Sequence, residues 1–284
     1  MNRPSDYPVH VLPERAFLAA DDSAAFGEHA PSHRIDFYAI VWFSETRGQH
    51  LIDFQPYPVR KNSVYLIGRN QVHSIPAARL PRARTIVFSD ALFDRIEEPF
   101  LRQLFLPFRN DGIAIPQAMQ VAMQHLFELM LFEYRGAADE VLLLKYLTAF
   151  LMQLFRFSNC GTLVAGGADP RVATLYQLVQ QHYKDEKGAV FYAARLGLTP
   201  KRMNEILRAT VGSTLSELIY QLLIIEAKRE LFHQQMSVKE IAYGLGFSEP
   251  SYFARFFRKR TGHAPEAFRR AALQQAGSGV LMFK

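Results

Sequence analysis

Apolar residues recur along this chain at two different spacings, and the change from one to the other divides it. Before residue 117, short apolar runs alternate with turn residues: Phe37 to Phe43, His50 to Phe54, Ser63 to Ile67 and Arg84 to Phe88. Runs of this length, rich in β-branched and aromatic side chains, predict the strands of a small sheet or barrel. From Gln117 the spacing lengthens, with Val121, Leu126 and Leu129, then Val141, Leu144, Leu147, Phe150, Leu151 and Leu154 at helical intervals. Two amphipathic helices, broken near Gly136, are expected there. The second is apolar around most of its circumference, because Leu142, Leu143, Leu144, Ala149 and Phe155 cannot share one face. It needs two surfaces to bury against. These are either its own sheet and the neighbouring helix or, for part of it, a second copy of the chain across a two-fold axis.

The stretch from Ser158 to Asp169, SNCGTLVAGGAD, is rich in small residues and has no amphipathic period, and Pro170 follows it. From Arg171 the pattern is helical throughout. A chain of 284 residues exceeds the size at which one core stops growing, so two domains are expected. Their limits are read as 1–157 and 171–274, with a linker over 158–170 and a tail over 275–284 that ends in the apolar segment GSGVLMFK.

The helical half contains a copied unit. Ala193, Gly197 and Thr199 align with Ala242, Gly246 and Ser248; after one inserted residue, Met203, Ile206, Leu207, Arg208 and Gly212 fall on Phe253, Phe256, Phe257, Arg258 and Gly262. Each position suits a helix-turn-helix. The alanines let two helices approach closely, and the glycines accept the positive φ of a tight turn. Thr199 and Ser248 can cap the following helix, with Pro200 at its first position. The apolar set buries one face of each second helix. The opposite face carries Lys201, Arg202, Asn204, Glu205 and Arg208 in the first copy, and Ser251, Ala254, Arg255, Arg258 and Lys259 in the second.

Arg and Lys bond guanine edges, Asn suits adenine, Glu accepts from cytosine, and small residues meet a thymine methyl or a phosphate. A merely solvated helix face has a similar composition, but two such faces, each behind a matched turn, point to duplex DNA. Between the copies, Thr214 to Leu231 opens with a capping box, Thr214 with Glu217, and places Leu218, Leu222, Ile225 and Leu231 on one side. A single linking helix of roughly 27 Å would hold the two recognition helices about one DNA turn apart. A second capping box, Ser237 with Glu240, opens the second copy.

Charge strengthens this picture. The net charge is +6, yet the chain through Pro170 has 16 basic and 18 acidic residues, against 17 and 9 from Arg171 onward. The basic excess lies where the copied unit lies. Composition, 49% apolar and 21% charged, is that of folded protein. The N-terminus lacks an apolar signal core and no run approaches the roughly 20 residues that span a bilayer, so a cytoplasmic location is expected. The single cysteine, Cys160, can form no internal disulfide and excludes a cysteine-built zinc site.

The segment from Ser237 to Gly262, SVKEIAYGLGFSEPSYFARFFRKRTG, followed by Pro265 and Phe268, resembles the C-terminal signature of the AraC/XylS regulators. That resemblance covers about 100 residues. It implies a bipartite DNA-binding domain, sequence-specific binding near promoters, and activation through contact with RNA polymerase. By position in the motif, Lys201, Arg202, Asn204 and Glu205 are the base readers of the first helix, and Ser251 and Arg255 those of the second. Arg208, Arg258 and Lys259 complete the DNA-binding set. Pro250 departs from the pattern, since relatives often place a polar residue there.

The first half is similar, less strongly, to the cupin-like sensory domains of the same family, through His33 to Tyr38, Gly48 to Phe54, and Asn70 to His73. The fold class implied is α+β: a cupin-like β-barrel with two flanking helices, then an all-α domain with two helix-turn-helix units joined by a linking helix. Metal-binding cupins place a second histidine close to the first and a glutamate shortly after, whereas here Ile35 and Tyr38 to Ile40 occupy that region. His33, His50 and His73 are thus an incomplete ligand set. Neither a metal nor another cofactor is expected.

Relatives bind small effectors inside the barrel, and the candidate pocket residues are Phe37, Tyr38, Trp42, Phe54, Tyr65 and His73, with Arg34, Arg60 or Arg69 to meet the acid group of the expected effector, an aromatic or other hydrophobic carboxylate. Most of these aromatics would equally suit a core. The leading reading is a homodimeric regulator of promoter DNA, not an enzyme, in which the effector shifts the balance between domain arrangements. The alternatives are a metal-dependent cupin enzyme with an appended DNA-binding module, or a constitutive regulator whose barrel only dimerises.

Overall fold

The computed structural model describes residues 9–10, 12, 16–21, 30–77, 79–107, 110–158, 169, 171–233 and 235–276. The linker around Cys160 and the apolar tail from residue 277 lie outside the described residues. Contacts divide the chain into two compact units that part between residues 162 and 163.

The first unit holds two five-stranded sheets. One runs in the order β1 (Val9–His10), β3 (Ala30–Ile35), β8 (Val72–Ile75), β5 (Gln49–Ile52), β6 (Gln55–Pro58). The other runs β10 (Ile113–Ala114), β7 (Ser63–Ile67), β4 (Tyr38–Phe43), β9 (Ala83–Phe88), β2 (Phe17–Ala20). Strands β1 and β3 pair in parallel, and the other pairings are antiparallel. The strands expected to close into a barrel therefore form, among the described residues, two open sheets on a shared core.

Strand β4 shows how the layers are built. Ala39, Val41 and Phe43 join Ile35, Ile52 and Val87 in a core between the sheets. Their neighbours Ile40 and Trp42 point the other way, into a second core with Val64, Ile86 and two helices. Both faces are buried, so the strand reads as an almost unbroken apolar run.

The helices on that outer face are α2 (Gln120–Arg135) and α3 (Glu140–Phe157), after a short α1 (Asp90–Asp94). Helix α2 stops at Gly136, and α3 starts behind Asp139, whose carboxylate accepts from the Leu142 amide at 2.9 Å. Met123, Phe127 and Met130 of α2 and Leu147, Phe150 and Leu151 of α3 fill the second core. Two positions that set the expected period of α2 turn outward: Val121 and Leu129 are exposed, as is Phe132 at 79%. On α3, Val141, Leu142 and Met152 are exposed as well. The inward set on α2 is spaced i, i+4, i+7, and a helix in one layer buries a single such stripe.

The second unit is helical: α4 (Arg171–His182), α5 (Ala189–Arg195), α6 (Pro200–Val211), α7 (Leu215–His233), α8 (Val238–Gly244), α9 (Pro250–Thr261) and α10 (Pro265–Ala276). The expected linking helix is α7, with 19 residues. Its burial is wider than one side. Leu218 and Leu222 are buried as expected, but so are Ile219, Leu223 and Ala227, because helices α8, α9 and α10 all pack against it.

Both capping boxes form. The Thr214 amide donates to Glu217 Oε2 at 2.8 Å and the Glu217 amide to Thr214 Oγ1 at 3.4 Å; the corresponding bonds of Ser237 and Glu240 are 2.7 and 3.2 Å. Backbone hydrogen bonds from Thr214 and Ser237 hold the two glutamate carboxyls below the usual carboxylate range.

Burial around α7 sets an expectation for substitutions. Leu223→Ala, outside the expected apolar side, should destabilise the unit as much as Leu222→Ala, by about 2 to 5 kcal/mol each in denaturant unfolding. A loss confined to Leu222→Ala would restore the one-sided helix.

Candidate nucleic-acid interface

The two helix pairs, α5 with α6 and α8 with α9, are joined by the same turn. In the first, Leu198 N donates to Ala193 O at 2.9 Å and Gly197 N to Ala194 O at 3.2 Å. In the second, Phe247 N donates to Ala242 O at 3.0 Å and Gly246 N to Tyr243 O at 2.9 Å. Gly197 and Gly246 have φ of 65° and 71°, the left-handed region where a Cβ is strained. Ala193 and Ala242 are buried, as close helix approach requires. The second helices end alike, at Gly212 and Gly262 with φ of 69° and 79°.

The copies differ at the start of the second helix. Thr199 caps α6, its hydroxyl accepting from the Arg202 amide at 3.2 Å. Ser248 does not cap α9. The inserted residue is Glu249, which takes the cap position without a side-chain bond and leaves Pro250 at the first helical position, as Pro200 is in α6. The insertion thus occupies one cap and leaves the exposed face in register.

Met203, Ile206 and Leu207 are buried on α6, and Phe253 and Phe257 on α9, while Phe256 is half-buried against Tyr220 and Phe247. On the opposite faces Lys201, Arg202, Glu205 and Arg208, and Ser251, Arg255, Arg258 and Lys259, are exposed. Arg202 pairs with Glu205 at 3.2 Å, an exposed contact that other partners could replace. Among the described residues, the side chains of Lys201, Arg255, Arg258 and Lys259 make no hydrogen bond or ion pair with the protein.

Asn204 differs from its neighbours. It is half-buried, its carbonyl oxygen accepts from the Leu215 amide at 3.0 Å, and its amide donates to Pro200 O at 3.1 Å. It ties α6 to the first residue of α7. Both ends of the side chain are committed, which opposes the adenine contact expected of it.

Sequence reasoning missed Lys187. Its Nζ donates to the carbonyl of Gly246 and, at 3.1 Å, to that of Lys184, and lies 4.9 Å from the Phe247 ring centre. The loop before α5 is thereby fastened to the second turn. No local spacing signals a contact across 59 residues.

In the first unit the structure places the candidate pocket residues apart from one another. A cavity of about 60 Å³ lies between the sheets, lined by His10, His33, His50, His73 and apolar side chains that include Phe37, Ala39, Val41 and Ile75. Of the candidates, Phe37 and His73 line it. Tyr38 stacks on Phe93 at 3.9 Å, and Trp42 packs with Phe127 and Phe150, both in the helix-side core. Tyr65 donates to Pro58 O at 2.5 Å, Phe54 is buried in a hairpin turn, and Arg34 bonds Asn70 at 3.1 Å. The physical reason is strand parity: Tyr38 and Trp42 alternate with Ala39 and Val41, and the smaller set faces the cavity. A cavity of that size is below the about 150 Å³ that holds a benzene ring. The aromatic part of the expected effector does not fit it as it stands.

Residues 192–271 match the family described as a helix-turn-helix domain. The HTH-type transcriptional activator RhaS of Pectobacterium carotovorum subsp. carotovorum (strain PC1) is 26% identical over 258 residues, 86% of this chain and 89% of that one. The protein of the same name from Yersinia pestis bv. Antiqua (strain Angola) is 24% identical over 248 residues, 84% and 89% of the two chains. The solved structure of ToxT from Vibrio cholerae is 15% identical and covers 90% of this chain and 98% of that one, at a TM-score of 0.46.

The fold and the exposed basic helices define a DNA-binding transcription regulator. These likenesses support a regulator of the AraC/XylS type, and the matched residues include the signature from Ser237 to Gly262. No helix among the described residues is long and apolar enough to cross a membrane.

The two turn glycines should respond unequally to the same substitution. A Cβ on Gly197 would meet open space, whereas one on Gly246 would collide with the carbonyl of Lys184. Gly197→Ala should lose about 1 kcal/mol in denaturant unfolding through its positive φ alone. Gly246→Ala should lose clearly more, and equal losses would contradict the tighter packing of the second turn.

Proposed function

We propose that this chain is a dimeric activator that inserts α6 and α9 into successive major grooves of promoter DNA, contacts RNA polymerase, and answers to a small molecule held in its first unit. The observation that carries the reading is the repeated turn, two helix pairs with matching hydrogen bonds and positive-φ glycines, each presenting an exposed basic face. Residues 171–274 form the DNA-binding domain, 1–157 the cupin-like sensing and pairing domain, 158–170 the linker and 275–284 a tail. Lys201, Arg202 and Glu205 on α6, with Ser251 and Arg255 on α9, read base edges. Arg208, Arg258 and Lys259, in the last turns of the two helices, meet phosphates. Asn204 positions α6 instead of reading a base.

Activation is supported by the RhaS relatives, which are named transcriptional activators. Pairing of two copies is supported by the exposed apolar side chains on α2 and α3, Val121, Leu129, Phe132, Val141, Leu142 and Met152. The effector acts by favouring one arrangement of the units over another. The protein works by binding, without a cofactor, in the cytoplasm.

Selection of duplexes from a random pool by the full chain tests the reading. It should enrich a site whose two conserved elements lie about 10 base pairs apart, with affinity that falls steeply as salt rises. Enrichment of no sequence would refute it. Within a selected site, Arg255→Ala should weaken binding by about 1 to 3 kcal/mol and relax preference at one or two adjacent base pairs. Asn204→Ala should weaken binding to every duplex alike in a titration against single-base variants of the site. Relaxed preference at one base pair would return Asn204 to the readers.

A further inference from the structure

Four histidines line the cavity of the first unit, and DNA binding uses none of them. They come from β1, β3, β8 and β5 and touch in sequence. The His10 and His33 rings stack at 4.2 Å, those of His33 and His73 meet edge to face at 4.3 Å, and His73 Nδ1 lies 3.3 Å from His50 Nε2. The row starts at His10, which is exposed, and ends at His50, which has no exposed surface. At the inner end, Nδ1 of His50 is buried with no hydrogen-bond partner among the described residues. Buried polar atoms are mostly hydrogen-bonded, and this one is available to a partner that enters the cavity.

The walls narrow the choice of partner. Among the described residues no Asp, Glu, Lys or Arg lines the cavity, and its polar side chains are the histidines and Thr85. A cation would meet no opposite charge, and a sugar would turn most of its hydroxyls toward alkyl groups. Among the described residues, no group of three or more histidine, cysteine or acidic side chains is arranged to hold a metal ion. An anion on a short alkyl chain meets the imidazoles at one end and Phe37, Ala39, Val41 and Ile75 at the other. The volume of about 60 Å³ limits that chain to a few carbons.

We propose that the histidine row binds the carboxylate of a short-chain monocarboxylic acid of about two or three carbons. The inference rests on the reading of the first unit as the sensor. The anion enters together with one proton from solvent, which converts a neutral imidazole of the row into the imidazolium that its carboxylate meets. Without the ligand, burial keeps the inner imidazoles neutral: His50 is pulled down to about 3 and His73 well below the usual histidine range.

The other titratable neighbours of His50 are Tyr65 on β7, 5.5 Å away between ring centres, and Tyr57, its register partner on β6. Burial raises both phenols, so they stay uncharged. Without the ligand His50 and His73 are neutral, and the bound row carries one proton more. Affinity should therefore fall as pH rises, because binding takes up a proton.

Titration calorimetry of the full chain with acetate and propionate, run in buffers of different ionisation heat, tests this. The expected result is saturable binding of at least one acid with uptake of about one proton. Binding should be at least about tenfold weaker in His50→Phe and in His73→Gln, and propionamide, the uncharged isostere, should not bind. If His50→Phe fails to fold, the half-buried His73→Gln decides. Binding without proton uptake, equal binding of propionamide, unchanged affinity in His73→Gln, or no binding of either acid would each overturn the site.

Affinity for a selected duplex, measured with and without the acid, separates the site from the sensor reading. Proton-linked binding that leaves duplex affinity unchanged supports the site and removes its sensing role. A different small molecule that alters duplex affinity, with no acid bound, keeps the sensor and removes this site.

Discussion

Helix α7 is buried around most of its circumference, and the geometry offered to DNA by the second unit depends on that burial. A helix buried on one side can rock against its neighbours. One held by Leu218 and Leu222 on one flank and Ile219, Leu223 and Ala227 on others has a single seat. From that seat Leu215 N donates to the Asn204 side-chain oxygen at 3.0 Å, and α8, α9 and α10 pack along the rest. The two exposed basic faces are therefore arranged by one apolar spine. Burial in that spine sets where the arginines stand, and the arginines remain available to a ligand.

Duplication of a turn is tolerant in one respect and strict in another. Both copies keep the alanine, the positive-φ glycine and the hydrogen bonds back to the first helix. Only the second also packs its glycine against the Lys184 carbonyl, with Lys187 donating to Gly246 O. The extra residue, Glu249, falls at a helix cap, where an insertion changes one capping interaction and shifts nothing inside the helix. An insertion within α9 would have rotated Arg255 by about 100° away from its face.

In the first unit the same economy of space explains the cavity. The sheets meet through small side chains of β4, Ala39 and Val41, while its large ones, Tyr38 and Trp42, serve the helix-side core. Small residues facing inward leave room, and the histidines of four strands border it.

The sequence by itself determined what depends on local spacing. The strands around β4, β5, β7 and β9, the helix break at Gly136, both capping boxes and both turns were readable, because each is fixed by residues within a few positions of one another. So were the exposed faces of α6 and α9, since polar residues opposite an apolar stripe leave little choice. Tertiary structure alone decided which face of β4 looks into the cavity, because both faces are apolar and alternation carries no sign. It also decided that Val121 and Leu129 point outward, that α7 is enclosed, that Asn204 is committed to the protein, and that His10 joins His33, His73 and His50. Those outcomes arise from contacts between segments distant along the chain, and a local pattern records that a residue is apolar or polar without recording what it will meet.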